Sequence, residues 1–60
     1  MPESHSETRG QITVTVWPSP YSIRQWCIIV TKGPNMLTDT VTASNRTEAA
    51  NAAFEKGKEL

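Results

Sequence analysis

Apolar and polar residues alternate over residues 11–17 (QITVTVW). Ile12, Val14 and Val16 fall on one side, and Thr13, Thr15 and Trp17 on the other. β-Branched residues at period two predict a strand. Pro18-Ser19-Pro20 ends it, because neither proline can donate to a ladder. Residues 22–32 (SIRQWCIIVTK) predict a second strand, with Ile23, Cys27 and Ile29 on one side and Trp26, Ile28 and Val30 on the other. Both sides are apolar toward its C-terminal end, as in a central strand. Lys32-Gly33-Pro34-Asn35 reads as a turn, in which Pro34 presets φ and Asn35 tolerates the next position. Residues 36–43 (MLTDTVTA) predict a third strand. Leu37, Val41 and Ala43 share a side with Asp39; Met36, Thr38, Thr40 and Thr42 take the other. A carboxylate on the apolar side marks an edge strand, a bulge, or an edge protected by an inward charge.

The period then changes to that of a helix, over residues 45–59. Asn45 is the expected N-cap, with Glu48 three residues on to complete a capping box. Ala49, Ala50, Ala52 and Ala53 have high helix propensity. Ala50, Ala53, Phe54 and Gly57 recur on one face, with Thr47, Asn51, Glu55 and Lys58 on the solvent side. Small residues let this helix approach a sheet closely, with Phe54 as its anchor.

Residues 1–10 (MPESHSETRG) hold no large aliphatic or aromatic side chain after Met1, so a flexible tail is expected there. Residues 11–60 then form a single βββα domain. The expected fold is α+β: a three-stranded antiparallel meander followed by one C-terminal helix packed on one face. With Trp26, Ile28 and Val30 inward, the helix covers Ile12, Val14, Val16, Leu37 and Val41. Trp17, Ile23, Cys27 and Ile29 then join the threonines on the outside. A slip of one residue in the central strand would exchange its faces.

Composition narrows the function. At 60 residues the chain is one domain, and a chain this short buries only about 60% of its unfolded surface. One Cys allows no internal disulfide, and one Cys with one His cannot complete a four-ligand zinc site. The support lacking there must come from a good small core, self-association or a larger partner. Six Lys/Arg balance six Asp/Glu, and the pI is near 6.5. That is far from the basic character of proteins held to nucleic acid through phosphates. The polar N-terminus has no apolar secretory core, and no apolar run approaches a membrane span, so a cytoplasmic location is expected.

No catalytic, cofactor-binding or metal-binding residue is assigned. Cys27 sits in an apolar run (WCIIV), where a free thiol is an inert small hydrophobe, and His5 is its sole imidazole candidate, far along the chain. Glu55 and Glu59 are one turn apart on a helix surface with no cleft around them. Glycines at 10, 33 and 57 form no phosphate-binding loop.

The chain is therefore expected to be a non-enzymatic interaction protein that uses its sheet face or an unpaired strand edge. Its expected partner is another protein or a second copy of itself. Trp17, Tyr21, Ile23, Arg24 and Trp26 are the candidate contacts, since aromatics and Arg dominate binding hot spots. In size and simplicity the chain resembles phage accessory inhibitors of host machinery, anti-CRISPR proteins among them. The alternative is nucleic-acid binding, with Trp17, Trp26 and Tyr21 stacking on bases beside Arg24 and Lys32. The order of elements resembles the small βββα DNA-binding domain at the N-terminus of phage-type integrases. That resemblance implies a sheet lined with basic residues, whereas the first strand here has none and the third carries Asp39.

Overall fold

The computed structural model describes residues 4–60. Four strands, β1 (His5–Arg9), β2 (Ile12–Pro18), β3 (Gln25–Lys32) and β4 (Asn35–Thr42), precede one helix, α1 (Arg46–Gly57). The strands form an antiparallel meander in the order β1-β2-β3-β4. The α+β class and the C-terminal helix are as expected, but the sheet has four strands instead of three.

The additional strand is β1, in the stretch expected to be a flexible tail. Residues 1–3 of that stretch lie outside the described residues. An edge strand needs backbone partners more than an apolar side, and β2 supplies them. Gly10 makes the connection possible with φ +61° at the first position of a two-residue turn, where an L side chain would be strained. Side chains then reinforce the pairing. Ser6 Oγ lies 2.9 Å from Thr15 Oγ1, and Thr8 Oγ1 lies 3.1 Å from Thr13 Oγ1. On the helix side, the Arg9 guanidinium stands 4.3 Å from the Phe54 ring centroid, a cation–π contact.

The register pairs Val14 with Val30 and Val16 with Ile28, and Leu37 with Val30. These positions face α1, so the inward assignment of Trp26, Ile28 and Val30 holds. The core consists of Val14, Val16, Ile28, Val30, Ala43, Ala49, Ala50, Ala53 and Phe54. Ile12, Trp26, Leu37, Val41 and Leu60 pack around it. Among the described residues no polar or charged side chain is buried.

Three boundaries differ from expectation for identifiable reasons. β3 begins at Gln25, so Ile23 is in the loop and not on the outer strand face. The last bond of the β2–β3 ladder runs from the Ser19 amide to the Gln25 carbonyl at 2.9 Å, and the Gln25 amide turns back to the Ser22 carbonyl, so residues 19–24 close into a loop. In the second hairpin it is Gly33, at φ +60°, that makes the turn, and Asn35 already pairs with Lys32. The capping box is displaced by one residue. The Glu48 amide donates to Asn45 Oδ1 at 2.9 Å, while Glu48 Oε1 accepts from the Ser44 amide at 2.9 Å. Asn45→Ala should cost about 1 kcal/mol, the usual value of an N-cap, read from the shift in urea midpoint. An unchanged midpoint would mean that solvent satisfies the Glu48 amide equally well.

Candidate functional site

Antiparallel pairing places Ser6, Thr8, Thr13, Thr15, Trp17, Gln25, Cys27, Ile29, Thr31, Met36, Thr38, Thr40 and Thr42 on the side of the sheet opposite α1. None of these side chains is charged. Glu7, Arg9, Lys32 and Asp39 alternate onto the helix side. Arg24 is in a loop, and the other charged groups among the described residues lie on α1 or just after it. A sheet face left to solvent ordinarily carries charge, and depletion of charge is characteristic of the centre of an interface.

Three apolar side chains of this face cluster on its two central strands. Trp17 on β2 is directly opposite Cys27 on β3, and Ile29 is two positions further along. All three are half-buried, and with Thr38 and Thr40 they line an open groove of about 410 Å³. Hydroxyls of the edge strands flank them: Ser6 and Thr8 on β1, and Thr38, Thr40 and Thr42 on β4. Met36, 65% exposed, closes the far corner.

The loop of residues 19–24 leaves the sheet beside Trp17. It is ordered by short-range bonds, with the Ser19 amide donating to the Gln25 carbonyl at 2.9 Å and the Tyr21 amide to Ser19 Oγ at 3.2 Å. Its side chains nevertheless point outward: Tyr21 is 93% and Ile23 96% exposed. Of the five contacts expected from the sequence, Trp17, Tyr21, Ile23 and Arg24 gather at one end of the molecule. Trp26 does not join them, because it packs against the core on the helix side. Ile29 and Met36 belong to the face and were not among the five. Their signal was the period-two alternation of uncharged positions on every strand.

The alternative route to association, a strand edge, is guarded on β4. The Ala43 amide bonds to the Arg24 carbonyl, so alternation along the ladder turns the Thr40 amide away from β3. Asp39 Oδ1 accepts that amide at 2.8 Å, and its other oxygen lies 3.2 Å from Lys56 Nζ. The carboxylate that conflicted with the apolar pattern is thus an edge-strand residue that occupies an outward donor, a known protection against edge pairing. The Thr40 amide, and next the Lys56 ammonium, hold the Asp39 carboxyl below its ordinary value of 3.8. A depressed folded value means that this contribution to stability is complete above pH 3.8 and is lost as pH falls through the folded value. Asp39→Asn should therefore lose less melting temperature than the native chain on acidification below that point. Equal losses would show that the pairing contributes nothing.

Among the described residues no group of His, Cys, Asp and Glu could hold a metal ion, and no helix is long and apolar enough to cross a membrane. The groove is lined by the half-buried Cys27 thiol and by β4 at Asp39, whose carboxylate alternates to the helix side. No family model, curated protein or solved structure matches the chain.

Proposed function

We propose that the chain is a small non-enzymatic interaction protein that works by protein–protein contact through its outer sheet face and the adjoining loop of residues 19–24. The uncharged face is the observation that carries this reading. Trp17, Ile29, Tyr21 and Ile23 supply apolar anchors, Arg24 supplies a charged one at the margin, and threonine hydroxyls form a polar surround. Its mode of action would be steric: an accessory inhibitor, of the kind phages use against host machinery, that covers a site on a larger assembly. The open groove offers no acid–base pair and no enclosed space for a substrate, which favours binding over catalysis.

Nucleic-acid binding fits less well. Stacking on Trp17 is available, but phosphates need cations around the bases, and the face has none.

Affinity purification from lysate, with the native chain and with Trp17→Ala, tests the proposal. A protein should be captured, survive washing at about 0.5 M salt, at which exposed charge contacts are largely screened, and be lost with Trp17→Ala. Recovery of nucleic acid without protein would overturn it.

A further inference from the structure

We infer that the occupant of the outer sheet face is a second copy of this chain, giving a two-fold dimer in which the two sheets pack face to face. The inference rests on the proposed use of this face for contact and names what covers it. Four observations lead to a second copy.

The first is charge. An isologous interface brings each patch against itself, so any charge near the axis meets its own like charge. This face avoids the conflict, because every charged side chain of the sheet alternates to the other side.

The second is self-complementary hydrogen bonding. A hydroxyl both donates and accepts, so threonine can always satisfy threonine across a two-fold axis. The chain already shows this chemistry within itself, in the Ser6–Thr15 and Thr8–Thr13 hydroxyl pairs.

The third is anatomy. Trp17, Cys27 and Ile29 cluster on the central strands beside Thr13, Thr15 and Thr31, and the edge strands carry hydroxyl residues and Met36. That arrangement gives an apolar cluster bordered by hydroxyls. Sheets packed face to face sit about 10 Å apart with interdigitated side chains, and the groove beside Trp17 and Ile29 is open space for the partner's side chains.

The fourth is area. The two longer Cα extents are 30 and 21 Å. They limit the face to at most roughly 600 Å² per copy, or about 1,200 Å² for a facing pair, so nearly the whole face must be covered to reach the roughly 1,000 Å² expected of a specific interface. Edge pairing through β4 would bury less and must displace Asp39 from the Thr40 amide.

In such a dimer the loop of residues 19–24 lies at the margin of the contact, so each copy keeps Tyr21, Ile23 and Arg24 for a further partner.

Analytical ultracentrifugation of the purified full chain tests the inference. Between about 1 µM and about 1 mM, the range in which a modest interface dissociates, the mass should rise from 6.7 kDa to twice that value. Ile29→Lys places two like charges at the centre of the face and should remain at 6.7 kDa throughout, with an unchanged far-UV spectrum. Should that variant unfold, Thr40→Lys, at an exposed position on the same face, takes its place. Lys58→Glu, on the far side of α1, should dimerise like the native chain. A native chain that stays monomeric over the whole range overturns the inference, and so does a lysine variant that dimerises as well as the native chain. The broader proposal is read separately. A monomeric chain that still captures a foreign protein through Trp17 keeps the proposed function and loses the dimer. A dimer that captures nothing does the reverse.

Discussion

Phe54→Ala is expected to remove about a third or more of the chain's stability. The helix side of the core is otherwise built from Ala49, Ala50, Ala53 and Gly57, so Phe54 is the one large side chain that α1 contributes, and it is only 4% exposed. Removing a buried Phe costs about 3–5 kcal/mol in lost transfer energy and residual cavity. A 60-residue domain has roughly 3–9 kcal/mol in total. The ring also carries the Arg9 guanidinium, so its loss loosens the edge strand β1 from the helix. Urea denaturation followed by far-UV circular dichroism checks this. A cooperative transition within about 1 kcal/mol of the native one, well under the usual cost of a Phe truncation, would mean that the helix is held by something other than its aromatic anchor.

The second large effect is expected at Gly57. A Cβ there would stand 2.8 Å from Ile12 Cγ2 and 2.9 Å from Val30 Cγ1. Both neighbours are branched side chains with restricted rotamers, and Val30 is fully buried, so neither yields easily. Overpacking of this kind costs about 1–3 kcal/mol. For Gly57→Ala, the roughly 1 kcal/mol of helix propensity gained on leaving glycine offsets part of the loss. Gly57→Val adds two more methyl groups to the same gap with a smaller gain in propensity. Stability should therefore fall in the order glycine, alanine, valine, with the valine variant losing about 2–3 kcal/mol or more. Thermal melts of the three chains suffice to check it. An alanine variant more stable than the native chain would show that the sheet shifts to admit the methyl group.

These two positions also show what was legible in the sequence. The close approach of α1 could be read from its alanines, and Phe54 stood out as the single large residue on their face. The alternation in β2 and β4, together with the expected inward set of β3, placed the core correctly. β1 was not legible, because HSETR has no apolar side to read. Its place is set by Gly10, by backbone pairing with β2 and by hydroxyl contacts, none of which has a hydrophobic period. The start of β3 was misplaced because Ser22-Ile23-Arg24-Gln25 continues the alternation in sequence, while the ladder ends at the bond from Ser19 to Gln25 and the Gln25 amide turns back to Ser22 within the loop. Strand signals on one segment say nothing about whether its neighbour can pair.

The candidate site was legible in part for the same reason. Trp17 and the loop residues Tyr21, Ile23 and Arg24 were identifiable as aromatic, apolar and cationic residues beside a strand end. Trp26 packs against the core and was set apart from them only by its side of the sheet. The uncharged face emerges only when the registers of all four strands are combined, since each strand taken alone shows just two to four neutral positions.

The central claim is that the outer face is covered when the protein works. Cys27 lies in the middle of that face and is the only cysteine of the chain, so its alkylation reports on the face without any mutation. The rate of modification by a small maleimide should fall as the protein is concentrated from about 1 µM to about 1 mM, and Ile29→Lys should keep the fast rate throughout. A Cys27 rate that is the same at both ends of the range, with no slowing when a captured protein is bound, would contradict the account.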